Sequence, residues 1–184
     1  MSITATLMLI SLLGVGKDMP EGFNSPAPNI IPITTLSTRS ITLGTTRTKV
    51  ISNLGQPVKS NVKVPGNPGD RSIEIYEFDS LTIEFNQGSK ISPLPEPHVV
   101  RILILGSKWA TKCGIRVGSP ASAVVKMLGK PNEIIEGSPE SLKSRNDIDS
   151  YYHYFASPGD SAIFISMKRG VVTAIEICGD LDSP

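Results

Sequence analysis

The sequence predicts an α+β fold built from two tandem units, each a helix followed by a three-stranded antiparallel meander. The helices are expected to pack on one face of a curved sheet. Three observations lead to this prediction. One motif occurs twice, 74 residues apart. Each copy has the apolar spacing of a short helix. Segments in which apolar and polar residues alternate, as in strands, follow each copy.

Length and charge limit the classes of protein to which the chain can belong. Its 184 residues suffice for one domain or two small ones. The 18 basic and 17 acidic side chains give a net charge of +1, so the composition offers no reason to bind nucleic acid. No apolar run reaches the roughly 18 residues that a membrane-spanning helix needs, so no transmembrane segment is predicted.

The first 36 residues are predicted to precede the folded part as two segments. Residues 1–16 contain an apolar run of 14 residues, which has the length of a signal-peptide core and ends in small residues suited to cleavage. No basic segment precedes the run, so a buried strand or helix is the alternative. Residues 17–36 contain four prolines and are predicted to be a linker. Cleavage of a signal peptide would make the protein periplasmic or secreted.

The repeated motif divides the remainder into repeat 1 (residues 37–106) and repeat 2 (residues 107–184). It reads I-x-[LV]-G-[ST]-x4-V-[IV]-x2-L-G-x-P, starting at Ile41 in the first copy and at Ile115 in the second. All nine motif positions match without a gap. Agreement at so many positions in one register indicates an internal duplication.

Each copy of the motif predicts a short capped helix. Thr45 and Ser119 are residue types that cap helix N-termini, and Pro120 suits the first helical position. The apolar residues at i, i+1 and i+4 form one stripe that can pack on a sheet. Gly55 and Gly129 follow the last apolar residue and stand two residues before a proline. They are therefore predicted to end the helices with a positive φ.

Three strands are predicted after each helix. In both units the middle strand alternates apolar and polar side chains and ends at a glycine. The flanking strands are rich in β-branched and aromatic residues. The first unit also has a Pro/Gly-rich loop (residues 65–70) and a long turn (residues 89–98), and the second has a polar loop (residues 137–149). The predicted strands cover residues 72–78, 81–85, 99–105, 151–155, 163–167 and 171–177.

The motif, a following YxF or YxY strand and an alternating strand that ends in glycine together resemble two groups of exported repeat proteins. These are the SmpA/OmlA (BamE-like) lipoproteins and the tandem-repeat β-lactamase inhibitory proteins. The resemblance covers about residues 37–178. It implies helices on one face of a curved antiparallel sheet and a function in protein binding, often in the bacterial envelope. No lipobox cysteine is present, which argues against a lipid anchor, and no binding residue of the inhibitors can be matched.

No group of residues in the sequence forms a convincing catalytic or metal site. The two histidines and two cysteines match no zinc-ligand spacing. His153 lies within Tyr-Tyr-His-Tyr-Phe and is interpreted as a strand histidine packed among aromatic rings. The S-x-x-K spacing of residues 60–63 lies beyond a helix-ending Gly-x-Pro and is interpreted as coincidence. The sequence therefore predicts no enzyme, no metal and no cofactor.

The two cysteines, Cys113 and Cys178, are predicted to form a disulfide bond in the exported protein. An even number of cysteines in an oxidising compartment favours pairing. The bridge would close a loop of 66 residues and restrict the unfolded chain. Two buried thiols in a reducing compartment are the alternative.

The leading functional hypothesis is an exported, non-enzymatic module that binds another protein, in the bacterial cell envelope. Ile83 and Phe85 are predicted to face the helices. Ile102, Ile104 and Phe164 are assigned to the opposite face of the sheet. An apolar patch on that face suggests a contact surface for a partner. Packing against the N-terminal segment or between the repeats is the alternative explanation of this patch.

The second hypothesis is a proteinaceous inhibitor of an enzyme such as a β-lactamase. Asp70 and Arg71 follow the sequence Pro-Gly-Asn-Pro-Gly. A carboxylate on a proline-stiffened loop is pre-organised for insertion into a cationic cleft. An ordinary loop at the start of a hairpin is the alternative. The identity of the partner and the oligomeric state stay open.

Overall fold

A computed structural model describes residues 30–32, 37–157 and 160–180 and arranges them around a nine-stranded sheet. The predicted signal segment (residues 1–16) and most of the predicted linker lie outside these described residues. The elements are β1 (Ile30–Pro32), α1 (Arg47–Leu54), β2 (Lys59–Lys63), β3 (Arg71–Phe78), β4 (Leu81–Ser89), β5 (Pro93–Ile104), α2 (Ala121–Leu128), β6 (Glu133–Glu136), β7 (Ser150–Ser157), β8 (Asp160–Lys168) and β9 (Val171–Asp180).

The sheet joins two antiparallel ribbons through its central strands. The strand order is β1-β7-β8-β9-β5-β4-β3-β2, and β6 pairs with β7 beside β1. β1 runs parallel to β7, whereas the other neighbouring pairs are antiparallel. At the junction, Ile102 on β5 lies opposite Ile177 on β9.

The predicted architecture of two helix-plus-three-stranded repeats is wrong. The described chain is one mixed sheet of nine strands with two eight-residue helices, and β1, β2 and β6 were not predicted. These three strands are short and lie at the margins of the sheet. Since β2 and β6 are almost wholly exposed, their sequences lack the apolar alternation by which strands are recognised. β1 lies in the segment that was predicted to be a linker.

β5 replaces most of the predicted long turn (residues 89–98). The strand begins at Pro93, and a tight turn between Ser89 and Ser92 precedes it. Prolines interrupt sheets because they lack an amide donor, so the sequence argued against a strand there. The first half of β5 pairs with β4, and the described residues show β9 pairing only from Arg101 onward. The prolines therefore lie in the part of the strand for which the described residues show no pairing with β9.

The residues of the sequence motif make the same local contacts before both helices. The hydroxyls of Thr45 and Ser119 each accept a hydrogen bond from the amide three residues earlier, at 3.0 and 3.1 Å. They close the turn that leads into each helix. The N-cap residues are Thr46 and Pro120, and Thr46 accepts a hydrogen bond from the first turn. The predicted caps were therefore one residue too early.

The glycines that end the helices have an unusual backbone conformation. Gly55 has φ 82° and ψ −166°, and Gly129 has φ 80° and ψ −170°. The positive φ agrees with the prediction. The ψ values, however, lie outside the left-handed helical region, in a region that is essentially restricted to glycine. Asparagine tolerates the left-handed helical region, so it gains no advantage here over other residues.

Replacement of Gly55 tests this conformation without a steric contribution, because a Cβ at this position meets no atom within 4 Å. We expect Gly55→Ala to lower the free energy of unfolding by about 1–3 kcal/mol in urea titrations. Gly55→Asn is expected to lower the free energy of unfolding by the same amount. Gly66 also has open space but no positive φ, so Gly66→Ala is a matched control with little effect or a slight gain. An unchanged midpoint for Gly55→Ala contradicts the prediction.

The hydrophobic core lies between the helices and one face of the sheet, here called the helix face. Val50 of α1 and Val124 and Leu128 of α2 are buried against it. The opposite face, here called the outer face, carries a small second cluster in which Leu142 and Ile148 cover Ala174. The largest fully buried side chains are Tyr154, Phe85, Ile41, Leu81, Ile83, Ile102, Ile104, Ile115, Ile163, Ile165 and Ile175.

Candidate functional site

An aromatic cluster lies on the outer face where β7 and β8 meet, formed by Tyr151, His153, Phe155 and Phe164. The His153 ring stacks on Phe164 with 4.8 Å between the ring centroids. Tyr151 meets Phe164 edge-on at 5.7 Å, and Phe155 meets His153 edge-on at 5.0 Å. Side chains of a strand alternate between the faces of its sheet. The odd-numbered residues of β7 therefore share the outer face, whereas Tyr154 belongs to the core.

The aromatic cluster combines partial exposure with a fixed geometry. Phe155 keeps 40% of its accessible surface, and the other three side chains are half-buried. Glu133 on β6 lies opposite His153, and its Oε2 is 3.2 Å from His153 Nδ1. This contact lies beside the stack of the imidazole on the Phe164 ring. The cluster therefore presents stacked and edge-on aromatic surface to solvent.

An ion-pair network centred on Arg101 adjoins the aromatic cluster. Arg101 Nε donates to Glu176 Oε1 at 2.7 Å, and its Nη1 donates to Glu84 Oε1 at 2.8 Å. The side chains of Arg101, Glu84 and Glu176 keep 21%, 19% and 6% of their accessible surface. Glu176 lies opposite Phe164 across β8 and β9, which joins the network to the cluster. One guanidinium thus bridges carboxylates of the two strands that neighbour β5.

Of the three residues predicted to form an apolar contact patch, only Phe164 lies on the outer face. Ile102 and Ile104 are 0% exposed and pack in the core, so their assignment to a partner surface was wrong. Ile102 lies directly opposite Ile83 across β4 and β5. Directly opposite residues point to the same face, so Ile102 must face the helices together with Ile83. The error arose because the register between strands cannot be read from one sequence.

Asp70 and Arg71, the residues predicted for an inhibitory loop, lie at the start of β3, four strands along the sheet from Phe164. Both side chains are exposed. The Asp70 amide donates to the Asn67 carbonyl, and Asn67 Nδ2 donates to Asp70 Oδ2, both at 3.1 Å. The loop is therefore a closed turn. The structure does not bring these residues together with the aromatic cluster.

The predicted disulfide is not formed, because Cys113 and Cys178 are both free thiols. Ile177 packs on the helix face, so the next residue, Cys178, points to the outer face. Cys113 packs against the core on the helix side, with its Sγ 3.1 Å from Thr111 Oγ1. The sheet thus separates the two sulfur atoms, which must approach to about 2 Å to form a bond.

The reactivity of Cys178 tests this placement. Burial raises the pKa of its thiol to about 11, and the Glu176 carboxylate adds to the rise. Because the thiolate is the reactive form, we expect iodoacetamide at pH 8 to modify Cys178 about 200-fold more slowly than an unperturbed cysteine. The rate should rise about tenfold per pH unit up to pH 10. Peptide mass spectrometry measures the rate of Cys178 alkylation. Fast labelling of Cys178 at pH 8, or detection of a Cys113–Cys178 disulfide, contradicts the prediction.

The described residues contain neither a group of metal-ligand side chains nor a helix suited to span a membrane. Among residues 30–32, 37–157 and 160–180, no three His, Cys, Asp or Glu side chains are grouped so that they could hold a metal ion. Within the same part of the chain, neither helix has the length and apolar character needed to cross a membrane.

Comparison with known proteins finds no match to a family model, to a curated protein or to a solved structure. The resemblance to exported repeat proteins therefore stays a sequence-based expectation. Sequence reasoning also overlooked three members of the aromatic cluster. The signal was present as alternating rings at Tyr151, His153 and Phe155, but it was interpreted as ordinary strand packing.

Proposed function

We propose that the chain is a non-enzymatic protein-binding module whose contact surface is the aromatic cluster of the outer face. The supporting observation is that ring stacking and the Glu133 contact fix four ring-bearing side chains that are still partly exposed. Aromatic side chains bury a large area on binding. When they are already ordered, they lose little conformational entropy in the complex. Such rings commonly carry most of the binding energy of an interface.

The charges around the cluster indicate the chemistry of the partner. Glu133 keeps 55% of its side-chain surface beside the His153 ring, so an acidic group is exposed at the margin of the cluster. We therefore expect the partner to present an apolar anchor beside a basic side chain. Export to the bacterial envelope is part of this proposal and is supported by the N-terminal apolar run and the sequence resemblance.

Affinity capture from the native host tests the proposal when point variants are compared. The double variant Phe155→Ala/Phe164→Ala is expected to weaken capture of a specific partner by at least about 30-fold, as for other interface hot spots. Ile134→Ala is the matched control, since Ile134 is 60% exposed and belongs to the neighbouring strand β6 but faces away from the cluster. Thermal unfolding checks that each variant is folded. Equal capture by all three proteins, or recovery of a free monomer alone, contradicts the proposal.

Enzyme inhibition is a second candidate, and one observation favours it. The Asn67–Asp70 turn holds an exposed carboxylate on a loop stiffened by two prolines, which limits the entropy lost on insertion into a cleft. A panel of serine β-lactamases provides the assay. Inhibition that Asp70→Asn weakens would support this function, and absence of inhibition at micromolar concentration would exclude it for these enzymes.

A further inference from the structure

The two edges of the sheet differ in how they are covered. At one edge, β7 pairs with β6 over Ser150–His153 and with β1 over Phe155–Ser157. At the other edge, no strand among the described residues lies beyond β2, and all five residues of β2 are exposed. An edge strand presents a row of amides and carbonyls that can pair with a further extended segment.

The two sides of β2 differ in chemistry. Lys59 and Lys63 lie on the outer side, as shown by the position of Lys59 opposite Glu77. Val62 lies on the helix side, opposite Glu74, which pairs with Arg47 of α1. Three valines on and beside the strand are strongly exposed: Val58 at 83%, Val62 at 45% and Val64 at 55%.

The charges of β2 determine which kind of extended segment can pair with its edge. Antiparallel pairing of two copies about Asn61 would place Lys59 of one copy opposite Lys63 of the other. Like charges directly opposite each other destabilise a sheet, so a second copy is a poor occupant. Lys59 contacts Glu77 at 3.1 Å but keeps 67% of its side-chain surface. An acidic strand would place opposite charges against both lysines, a favourable cross-strand arrangement.

We propose that β2 accepts an extended acidic segment of another protein as an additional strand. Glutamate or aspartate would face the lysines, and alternate β-branched residues would face the valines. Main-chain hydrogen bonds would supply affinity, and the alternating side chains would supply specificity. This surface is separate from the aromatic cluster, so the proposal does not depend on the function assigned to that cluster.

A synthetic peptide tests the proposal on the full-length chain. The probe is a capped octapeptide in which glutamate alternates with valine and threonine, and its counterpart has lysine at the glutamate positions. Fluorescence anisotropy is expected to show binding of the acidic peptide but not of its lysine counterpart. Hydrogen exchange is expected to show increased protection of the β2 amides when the acidic peptide is bound. Lys63→Glu is expected to weaken binding about threefold to tenfold. Lys126→Glu on α2, which changes the net charge equally, is expected to change it less than about twofold.

Three results would overturn the proposal. An acidic peptide N-methylated along one edge that still binds equally well would show attraction without strand pairing. Slow exchange of all β2 amides in the free monomer would show that another part of this chain covers the edge. Concentration-dependent dimers that Lys63→Glu strengthens, by placing a glutamate opposite Lys59 of the other copy, would make a second copy the occupant. Unchanged peptide binding by Phe155→Ala/Phe164→Ala would separate this result from the test of the aromatic cluster.

Discussion

Arg101→Met is expected to lower the free energy of unfolding by about 3–5 kcal/mol, because it removes the guanidinium that both Glu84 and Glu176 contact on the outer face. Glu176 keeps only 6% of its side-chain surface, so water cannot replace the guanidinium. Glu84 is also largely buried, at 19%. Methionine has a similar length and apolar stem, which limits the loss of packing. Urea unfolding at pH 7 measures the effect.

Two controls separate the loss of charge balance from the loss of contacts. Adding Glu84→Gln and Glu176→Gln to Arg101→Met removes all three charges and is expected to recover most of the stability. Lys108→Met breaks an ion pair with Asp79 in which both side chains are more than half exposed, so it is expected to cost less than about 1 kcal/mol. A loss at Arg101 no larger than at Lys108 would contradict the prediction.

The Arg101 network also shows what the sequence could not reveal. Its three residues lie on β4, β5 and β9, and Arg101 and Glu176 are 75 positions apart. Alternation along one strand shows which residues share a face of that strand. It does not show which residue of the next strand lies opposite. The register of β4, β5 and β9 therefore had to come from the structure.

The elements themselves were predictable to different degrees for a physical reason. The six longer strands contain buried residues and overlap the segments predicted from alternation or from β-branched and aromatic residues, although β5 begins at Pro93, six residues before the predicted start. β2 and β6 are held by main-chain pairing at the margins and bury almost no side chain. Their sequences therefore carry no pattern. The architecture was predicted wrongly for two reasons. The sequence pattern did not reveal the short strands at the edges of the sheet, and it did not show that all nine strands form one sheet.

Residues of the candidate site were predictable only where the pattern of a single strand was enough to assign the face of the sheet on which they lie. The phase of β8 placed Phe164 on the outer face, since Ile163 and Ile165 are the apolar neighbours that fill the core. The assignments of Ile102 and Ile104, and the disulfide, each needed the relation between two segments. Those are the predictions that proved wrong. A sequence without aligned relatives supplies no information on such relations.

Leu128→Ala is expected to cost about 2–5 kcal/mol of unfolding free energy, and Leu54→Ala about 1–2 kcal/mol. The repeated motif predicts equal roles for these two leucines, each the last apolar residue before a helix-ending glycine. The structure makes them unequal. Leu128 is 4% exposed and lies in the core with Val124, whereas Leu54 is half-buried at its margin. A truncated side chain leaves a cavity only where the surrounding atoms already enclose it.

Val50→Ala and Val124→Ala provide the matched control for the leucines. Both valines are 0% exposed and occupy the same position in their helices, so their losses are expected to agree within about 1 kcal/mol. Urea unfolding of the four variants, with an unchanged dependence on denaturant, would show that only stability differs. Equal losses at the two leucines would mean that α1 packs on the sheet as tightly as α2 does. Unequal losses at the valines would instead mean that one whole helix is weakly docked.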